Sequence, residues 1–363
     1  MPRNPRARWF APSREPLWGA VVAVAIALAV SFVAILASGK NAALGFAHLF
    51  DGAFGSAAAL GESAVKGSVL VLTGLSVAIP FTVGVFNIGA EGQLIWGALA
   101  AAVAGSALDL PAPLLVPVCL ASAALAGGIW GALPGLLKAL RGVHEVISTI
   151  LLNWVAIHLV HGWLVVGPLS ARTSGSAISM VGTAPIQPAA HLYRFFEGSR
   201  LDIGLPVSLA AAFAVWFFLT RTRRGFEWRA TGAGAEAARA SGISTRGCVV
   251  EAMAAGGALA GLGGALLILG TEHRYPGVFR TGYGFDGIAV ALIGGATAPG
   301  AALAGLFFGA LRAGSTALQL VGIHPSFAEL IQGIAVLLVA APRFFSPLLL
   351  RLRARAAPAG APP

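Results

Sequence analysis

Two long apolar stretches, residues 69–85 and 94–107, flank a short polar segment at residues 86–93 that reads FNIGAEGQ. Its polar and glycine positions are Asn87, Gly89, Glu91, Gly92 and Gln93. In hydrocarbon the backbone must satisfy its own hydrogen bonds, so apolar stretches of this length cross a membrane as helices. A buried carboxylate costs on the order of several kcal/mol there unless it faces protein or water. The segment therefore predicts an interrupted helix of the kind that forms transport sites.

Composition supports the same fold class. The chain is 57% hydrophobic and 10% charged, whereas soluble domains carry about 25% charged residues. We expect an all-α polytopic membrane protein whose transmembrane domain covers residues 17–342. At roughly 20 apolar residues a crossing we count about ten spans. They lie near residues 17–38, 68–86, 90–108, 112–137, 146–167, 204–220, 248–270, 285–297, 299–320 and 327–342. The eighth is short enough for a half-helix or a re-entrant segment.

Lysine and arginine residues concentrate on one side of these spans. They occupy a basic N-terminal tail (residues 1–16), the loop 221–247 and a basic, Ala/Pro-rich C-terminal tail (residues 343–363). The positive-inside rule then places both termini in the cytoplasm. The apolar run 17–38 is too long for the core of a cleaved signal peptide, so we expect it to remain as the first span.

Two segments fall on the outer side of the membrane. Residues 41–66 mix apolar side chains with polar breaks and favour an amphipathic surface helix. Residues 169–203 form an external loop with several aromatic residues and prolines. This loop is either a docking surface for an external partner or a plain connection, and both alternatives stay open.

No motif in the sequence supports an enzyme. A phosphate-binding loop needs G-x-x-x-x-G-K-[ST], and the sole Gly-Lys pair, residues 39–40, lacks the hydroxyl residue that should follow. Residues 282–287 match G-x-G-x-x-G, but a dinucleotide site needs a strand before the motif. His158 and His161 lack a third metal ligand. We expect no catalytic residue, cofactor or metal on this chain, and no nucleic-acid partner.

The span 299–320 carries small residues at four-residue spacing, a pattern that lets helices approach closely. They are Ala301, Gly305, Gly309 and Ala313. Arg312 lies on the same span and must find a carboxylate, a carbonyl or water. We interpret the small residues as helix packing and Arg312 as a structural or gating residue.

The loop 221–247 contains an alanine-rich stretch that ends at a glycine, which is typical of a short helix with a C-terminal cap. The stretch comprises Ala235, Glu236, Ala237, Ala238, Arg239, Ala240, Ser241 and Gly242. A short helix held between two spans suits docking to a cytoplasmic partner, and a solvated loop is the alternative.

Four stretches in order resemble the permease subunit of nucleoside and simple-sugar ABC importers, a branch of the branched-chain-amino-acid/ribose-type permease family. They are residues 86–93, residues 144–153 (HEVISTILLN), residues 236–243 (EAARASGI) and residues 284–294 (GFDGIAVALIG), the last followed by FGALRAG at 308–314. The resemblance extends over roughly residues 20–342. It is more specific for the family than for the solute, for which a nucleoside is our first expectation and a ribose-like sugar our second.

This resemblance implies a multi-pass protein of the bacterial inner membrane that works with other subunits. These are a second permease, identical or paralogous, a cytoplasmic ABC ATPase that binds ATP and Mg, and an external solute-binding protein. It also implies that residues 235–242 are the coupling helix. We expect the path of a small polar solute to be lined by Asn87, Glu91, Gln93, Ser148, Thr149, Asn153 and Asp286.

Glu91 and Asp286 each lie between glycines at the start of a span, and the two spans run in opposite directions. This arrangement predicts an inverted repeat of spans 2–5 and 7–10. Both carboxylates are equally compatible with capping helix N-termini. An ion-coupled secondary transporter of a small polar solute is the alternative function, since it shares the interrupted spans but needs no cytoplasmic docking helix.

Overall fold

The computed structural model describes residues 18–171, 181–277, 279 and 282–339. The predicted tails, residues 1–16 and 343–363, lie outside this part of the chain. So do the last residues of the predicted span 327–342 and the middle of the loop 169–203. The named elements among the described residues are helical, which confirms the all-α fold class.

Thirteen α-helices follow one another along the described residues. They are α1 (Trp18–Ala37), α2 (Ala42–Phe54), α3 (Ala57–Thr82), α4 (Ala90–Ala107), α5 (Ala112–Arg141), α6 (Glu145–Leu159), α7 (Gly204–Arg221), α8 (Arg223–Ala233), α9 (Ala235–Ala240), α10 (Thr245–Leu267), α11 (Tyr283–Ile293), α12 (Ala298–Gly314) and α13 (Ser326–Val339). π-helical turns extend α6 through Val160–Leu164 and α10 through Ile268–Glu272. A 3-10 segment, Ser315–Val321, extends α12.

Six of these helices are long and apolar enough to cross a membrane, namely α3, α5, α6, α7, α10 and α12, with their extensions. Shorter apolar helices lie at Val21–Ala37, Ala42–Phe54, Tyr283–Ile293 and Ser326–Val339. α4 has 18 residues and carries Glu91 in its first turn. Length and composition therefore establish a multi-pass membrane protein, but they do not confirm the predicted number of spans.

The second predicted span begins at Ala57 instead of residue 68. Ser56 caps α3, because its hydroxyl accepts a hydrogen bond from Ala59 N at 3.1 Å. Glu62 and Lys66 lie one turn apart on α3 and form an ion pair at 3.2 Å, so the charged residues continue the helix. The surface helix predicted over residues 41–66 is therefore wrong in extent, since α2 ends at Phe54 and α3 covers the rest.

α3 and α10 lie at the centre of the bundle. In the most apolar 18-residue stretch of each helix, 83% of the residues of α3 and 78% of those of α10 are buried. The corresponding share is 22% in α5 and 28% in α6 and α7. α3 packs against α12 and α11, whereas α10 packs against α5 and α4. The outer helices expose apolar side chains such as Leu125 and Ile129 of α5, as expected of helices that face lipid.

The small residues of α12 lie against the main chain of α3. A Cβ atom on Gly305 would lie 2.7 Å from Val71 N, and one on Gly309 would overlap Gly67. α10 meets α5 in the same way, where a Cβ atom on Gly261 would overlap a main-chain carbonyl of α5. These contacts are those of close helix packing in a membrane.

Replacing Gly309 by alanine is expected to lower the melting temperature of the detergent-purified protein. The added methyl group must push α12 away from Gly67, and such overpacking costs about 1–3 kcal/mol. Gly333 of α13 is the matched control, because a Cβ atom there meets nothing within 4 Å and alanine favours a helix by up to ~1 kcal/mol over glycine. Equal melting of Gly309→Ala and Gly333→Ala would contradict the close contact of α3 and α12.

The described part of the predicted external loop, residues 181–203, is held against the C-terminal end of α10 and its π-helical extension. Leu192 N donates a hydrogen bond to Leu269 O at 3.0 Å. His191 of the loop stacks on His273, with ring centroids 3.9 Å apart, and burial lowers the pKa of both imidazoles. This segment is therefore packed onto the bundle.

Candidate functional site

The chain leaves helical geometry between α3 and α4. Pro80 lies in the last turn of α3, where its missing N–H weakens the helix. Gly84 adopts φ +78°, a left-handed conformation that favours glycine, and residues 85–88 have no helical structure. Val85 and Asn87 are nevertheless buried. The main-chain groups of this break therefore need hydrogen-bond partners inside the protein.

Asn87 and Gln93 supply partners as a reciprocal amide pair. Asn87 Nδ2 donates to Gln93 Oε1 at 2.9 Å, and Gln93 Nε2 donates to Asn87 Oδ1 at 3.1 Å. Asn87 also donates to Ser76 O of α3 and accepts from Gly89 N. Both amides are buried. Leaving such a group unpaired costs about 1–3 kcal/mol, so the pair stabilises the break.

Asn153 of α6 holds the other side of the break. Its Oδ1 accepts from Gly92 N at 2.8 Å, and its Nδ2 donates to Ile88 O at 2.8 Å. The contact requires a close approach, because a Cβ atom on Gly92 would lie 2.9 Å from Asn153 Oδ1. One side chain thus satisfies main-chain groups both before and within the first turn of α4.

Ser148 and Thr149 are buried on the same face of α6 but bond within their own helix. Both hydroxyls donate to Glu145 O, at 3.1 Å and 2.7 Å. Thr149 packs on the break, since a Cβ atom on Gly89 would lie 3.3 Å from its Cβ. The structure therefore brings five of the seven predicted lining residues to the break: Asn87, Glu91, Gln93, Thr149 and Asn153. Ser148 lies next to Thr149 on α6. Asp286 lies on α11.

Glu91 joins α4 to the distant helix α11. Its Oε1 accepts from Gly282 N at 3.1 Å and its Oε2 accepts from Gly284 N at 2.7 Å. Gly282 adopts φ +69°, and a Cβ atom on Gly284 would overlap the main chain of Glu91. The N-termini of α4 and α11 therefore meet directly. Glu91 caps the N-terminus of the other helix, where free N–H groups and the helix dipole favour a carboxylate.

Asp286 lies in the first turn of α11 and pairs with Arg312 of α12. The Arg312 guanidinium also lies 4.0 Å from the centroid of the Tyr283 ring. Arg312 thus finds a carboxylate and an aromatic face, which stabilise a cation at membrane depth. Each of the two helices that meet here has an acidic residue in its first turn, Glu91 in α4 and Asp286 in α11.

The Glu91→Gln variant should melt at a lower temperature than the native protein. A glutamine can accept from only one of the two N–H groups of α11, and a lost hydrogen bond to a charged group costs about 1.5–3 kcal/mol. Glu197→Gln is the matched control, because Glu197 is exposed in the external loop. Unchanged melting combined with lost uptake would contradict the capping role and indicate that Glu91 contacts the solute.

Two short helices follow α7. α8 is anchored on α10 through the buried Trp228, whose Nε1 donates to Glu251 Oε2 at 3.2 Å. α9 has a single buried residue, Ala238. After it Gly242 adopts φ +81°, and Ile243 N returns to Ala238 O at 3.0 Å. The remaining predicted coupling positions are exposed: Ala235, Glu236, Ala237, Arg239, Ser241 and Gly242.

Four residues that contact the predicted residues or extend their interactions were not predicted as site residues: Lys66, Ser76, Tyr283 and Gly284. Ser76 lies in an apolar run, where a lone hydroxyl carries little signal. Tyr283 and Gly284 are the first residues of α11, and their contacts are with Arg312 and Glu91 of other helices. Lys66 could have been found from the sequence, because it lies four residues after Glu62 and this spacing is typical of an ion pair on a helix.

The sequence matches, over residues 59–340, the family described as branched-chain amino acid transport system / permease component. It is 38% identical over 323 residues to the guanosine ABC transporter permease protein NupP of Bacillus subtilis, covering 88% of this chain and 92% of that protein. It is 36% identical over 341 residues to the glucose ABC transporter permease protein TsgB13 of Haloferax volcanii, covering 91% and 90%.

A third relative is the nucleoside ABC transporter permease protein NupB of Lactococcus lactis, 31% identical over 326 residues that cover 88% of this chain and 89% of that protein. No solved structure matches the chain. The family match covers α4 to α13 and all but the first two residues of α3, and therefore includes both helices that meet at Glu91. This chain belongs to the branched-chain amino acid transport system permease family.

Proposed function

We propose that this permease is the translocation subunit of an ABC importer for nucleosides, in the bacterial inner membrane. The observation that carries the proposal is the similarity, along nearly the whole chain, to permeases named for guanosine and for nucleosides. A relative named for glucose makes related sugars the second solute class. The interrupted helices support a transport role, because such breaks form solute sites in transporters.

The chain crosses the membrane about ten times in this proposal, with both tails in the cytoplasm. Its core is an inverted repeat of α3–α6 and α10–α13. The helix contacts support this, since α3 packs on α12 and α11 while α10 packs on α5 and α4. Exchanging the two halves converts each set of contacts into the other. The N-termini of α4 and α11 correspond in the two halves, and they meet at Glu91.

α9 is the coupling helix of this proposal and docks to a separate cytoplasmic ATPase, which binds ATP and Mg. Five of its six residues are exposed, and Ala238 alone is buried, so a partner can reach it. A second permease, identical or paralogous, completes the path, and an external solute-binding protein delivers the solute to the face formed by residues 181–203. This chain itself holds no cofactor.

The amides at the break have a positioning role in this mechanism. Asn87, Gln93 and Asn153 bond to one another or to main-chain groups, so they fix the start of α4. ATP-driven closure of the ATPases would move α9, and the bundle would switch between outward-open and inward-open states. Separation of α4 from α11 at Glu91 is the change in the core that we associate with this switch.

Competition for uptake tests the solute class. Proteoliposomes that contain the permease, its ATPase and its binding protein should take up labelled guanosine in the presence of ATP. Excess unlabelled adenosine or inosine should reduce that uptake, whereas excess glucose should not. Uptake of labelled glucose without uptake of guanosine would contradict the nucleoside assignment and favour a sugar importer.

A further inference from the structure

A series of charged side chains runs along α3 and α12, apart from the amides of the break. We call Arg200, Glu62, Lys66, Arg312 and Asp286 the charged ladder. At its outer end Arg200 of the external loop lies 3.3 Å from Glu62 Oε2. Lys66 Nζ lies 3.2 Å from Glu62 Oε1. The first step of the ladder thus links the external loop to the first turns of α3.

The ladder continues inward from α3 to α11. Lys66 Nζ donates to Arg312 O at 3.5 Å, and Arg312 pairs with Asp286. Asp286 belongs to the first turn of α11, whose N-terminus is capped by Glu91. The ladder therefore leads from the external loop to the place where α4 and α11 meet.

The ladder is partly exposed along its length. The side chains of Glu62, Asp286 and Arg312 are 28%, 26% and 30% exposed, and that of Arg200 is 59% exposed. Arg312 lies below the outer end of its helix, with Ser315–Val321 above it. A charge that faces lipid is unfavourable, by about 2.5–3.5 kcal/mol at a helix centre. This face therefore contacts water or protein.

Pairing within the chain favours water over a protein partner. Both carboxylates of the ladder already have cations from the same chain, Glu62 with Arg200 and Lys66, and Asp286 with Arg312. A partner subunit would have to bury these pairs without adding a counter-charge, and desolvating an ion pair is expensive. A water-filled passage leaves the pairs hydrated.

We propose that the charged ladder is the wall of the water-filled outer entrance of the solute path. The proposal rests on the proposed transport function and adds which face of the bundle the solute meets first. Paired carboxylates and cations form strong charge-assisted hydrogen bonds, so the wall suits a neutral solute with several hydroxyl groups, such as a nucleoside. The entrance passes the contact of α4 with α11 and continues along the side of α11 that carries Asp286.

Cysteine labelling tests this assignment in the complete complex in membrane vesicles. Lys66→Cys places a thiol on the ladder itself. Ala289→Cys places one a turn below Asp286, on the same side of α11. Leu125→Cys is the control, because Leu125 is exposed near the middle of α5 among apolar residues. The native Cys119 and Cys248 are buried, so the background reaction is low. The probe is a charged, membrane-impermeant thiol reagent added from the outside.

We expect Lys66→Cys and Ala289→Cys to react at least tenfold faster than Leu125→Cys, because only a thiol in water ionises to the reactive thiolate. Reaction of Ala289→Cys no faster than that of Leu125→Cys would overturn the proposal, and Ala289→Cys is a small enough change to preserve the fold. Labelling does not require transport. Slow labelling with normal uptake would therefore contradict the entrance alone. Fast labelling without nucleoside uptake would contradict the solute assignment alone.

Discussion

A Gly284→Val permease is expected to lose uptake entirely and to melt well below the native protein. The valine side chain would overlap the main chain of Glu91 in the first turn of α4. Main-chain atoms cannot rotate away as a flexible side chain does, so α4 and α11 must separate. Overpacking of this kind costs about 1–3 kcal/mol and at times more, and separation also removes the hydrogen bonds that Glu91 accepts from α11.

Gly282→Asn is the matched control for this prediction. Gly282 has φ +69° with open space around it, and asparagine tolerates a left-handed conformation better than most residues do. Its main-chain N–H still reaches Glu91. We expect near-native melting and uptake from Gly282→Asn, measured beside Gly284→Val. Native melting of Gly284→Val would show that the N-termini of α4 and α11 are not in contact.

An Ala237→Trp permease should lose at least about tenfold in ATP-driven uptake while its own melting temperature is unchanged. Ala237 is exposed on α9, and exposed substitutions usually alter stability by within ~0.5 kcal/mol. A bulky ring there would hold the ATPase away from the coupling helix. Ala238 is unsuitable for this test, because it is buried against the permease itself and its replacement would also affect folding.

Ala237→Ser is the control for the docking prediction, since serine is small and polar at the same exposed position. Uptake by Ala237→Ser should match that of the native permease. Pull-down of the ATPase by each variant gives a second readout, with weakened capture expected for Ala237→Trp alone. Native uptake and native ATPase capture by Ala237→Trp would remove α9 from the coupling interface.

The helices could be predicted from the sequence because apolar runs have no other stable form in a membrane. Asn87, Glu91, Gln93 and Asn153 were identifiable in the same way, since buried amides and carboxylates stand out in apolar surroundings. The partners of Glu91 were not identifiable. Glu91 accepts hydrogen bonds from the main-chain N–H groups of Gly282 and Gly284. Every residue type except proline has such a group, so the pattern of side chains does not reveal it.

The extent of the second span shows a different limit. Glu62 and Lys66 break the apolar pattern, so the sequence favours a surface segment before residue 68. In the structure these charges pair with each other and with neighbouring elements, which lets α3 begin at Ala57. Hydropathy measures single residues and cannot register such pairing. Glu62 and Lys66 of the charged ladder were missed for that reason, although their four-residue spacing is visible in the sequence.

The measurement that tests the central claim most directly is the energy source of uptake. Proteoliposomes with the permease, its ATPase and its loaded binding protein are given labelled guanosine, with ion gradients collapsed by ionophores. ATP supplied on the ATPase side should drive uptake, and omission of ATP or its replacement by a non-hydrolysable analogue should abolish it. Uptake that ignores ATP and stops when the ion gradients collapse would contradict the ABC importer and establish an ion-coupled secondary transporter.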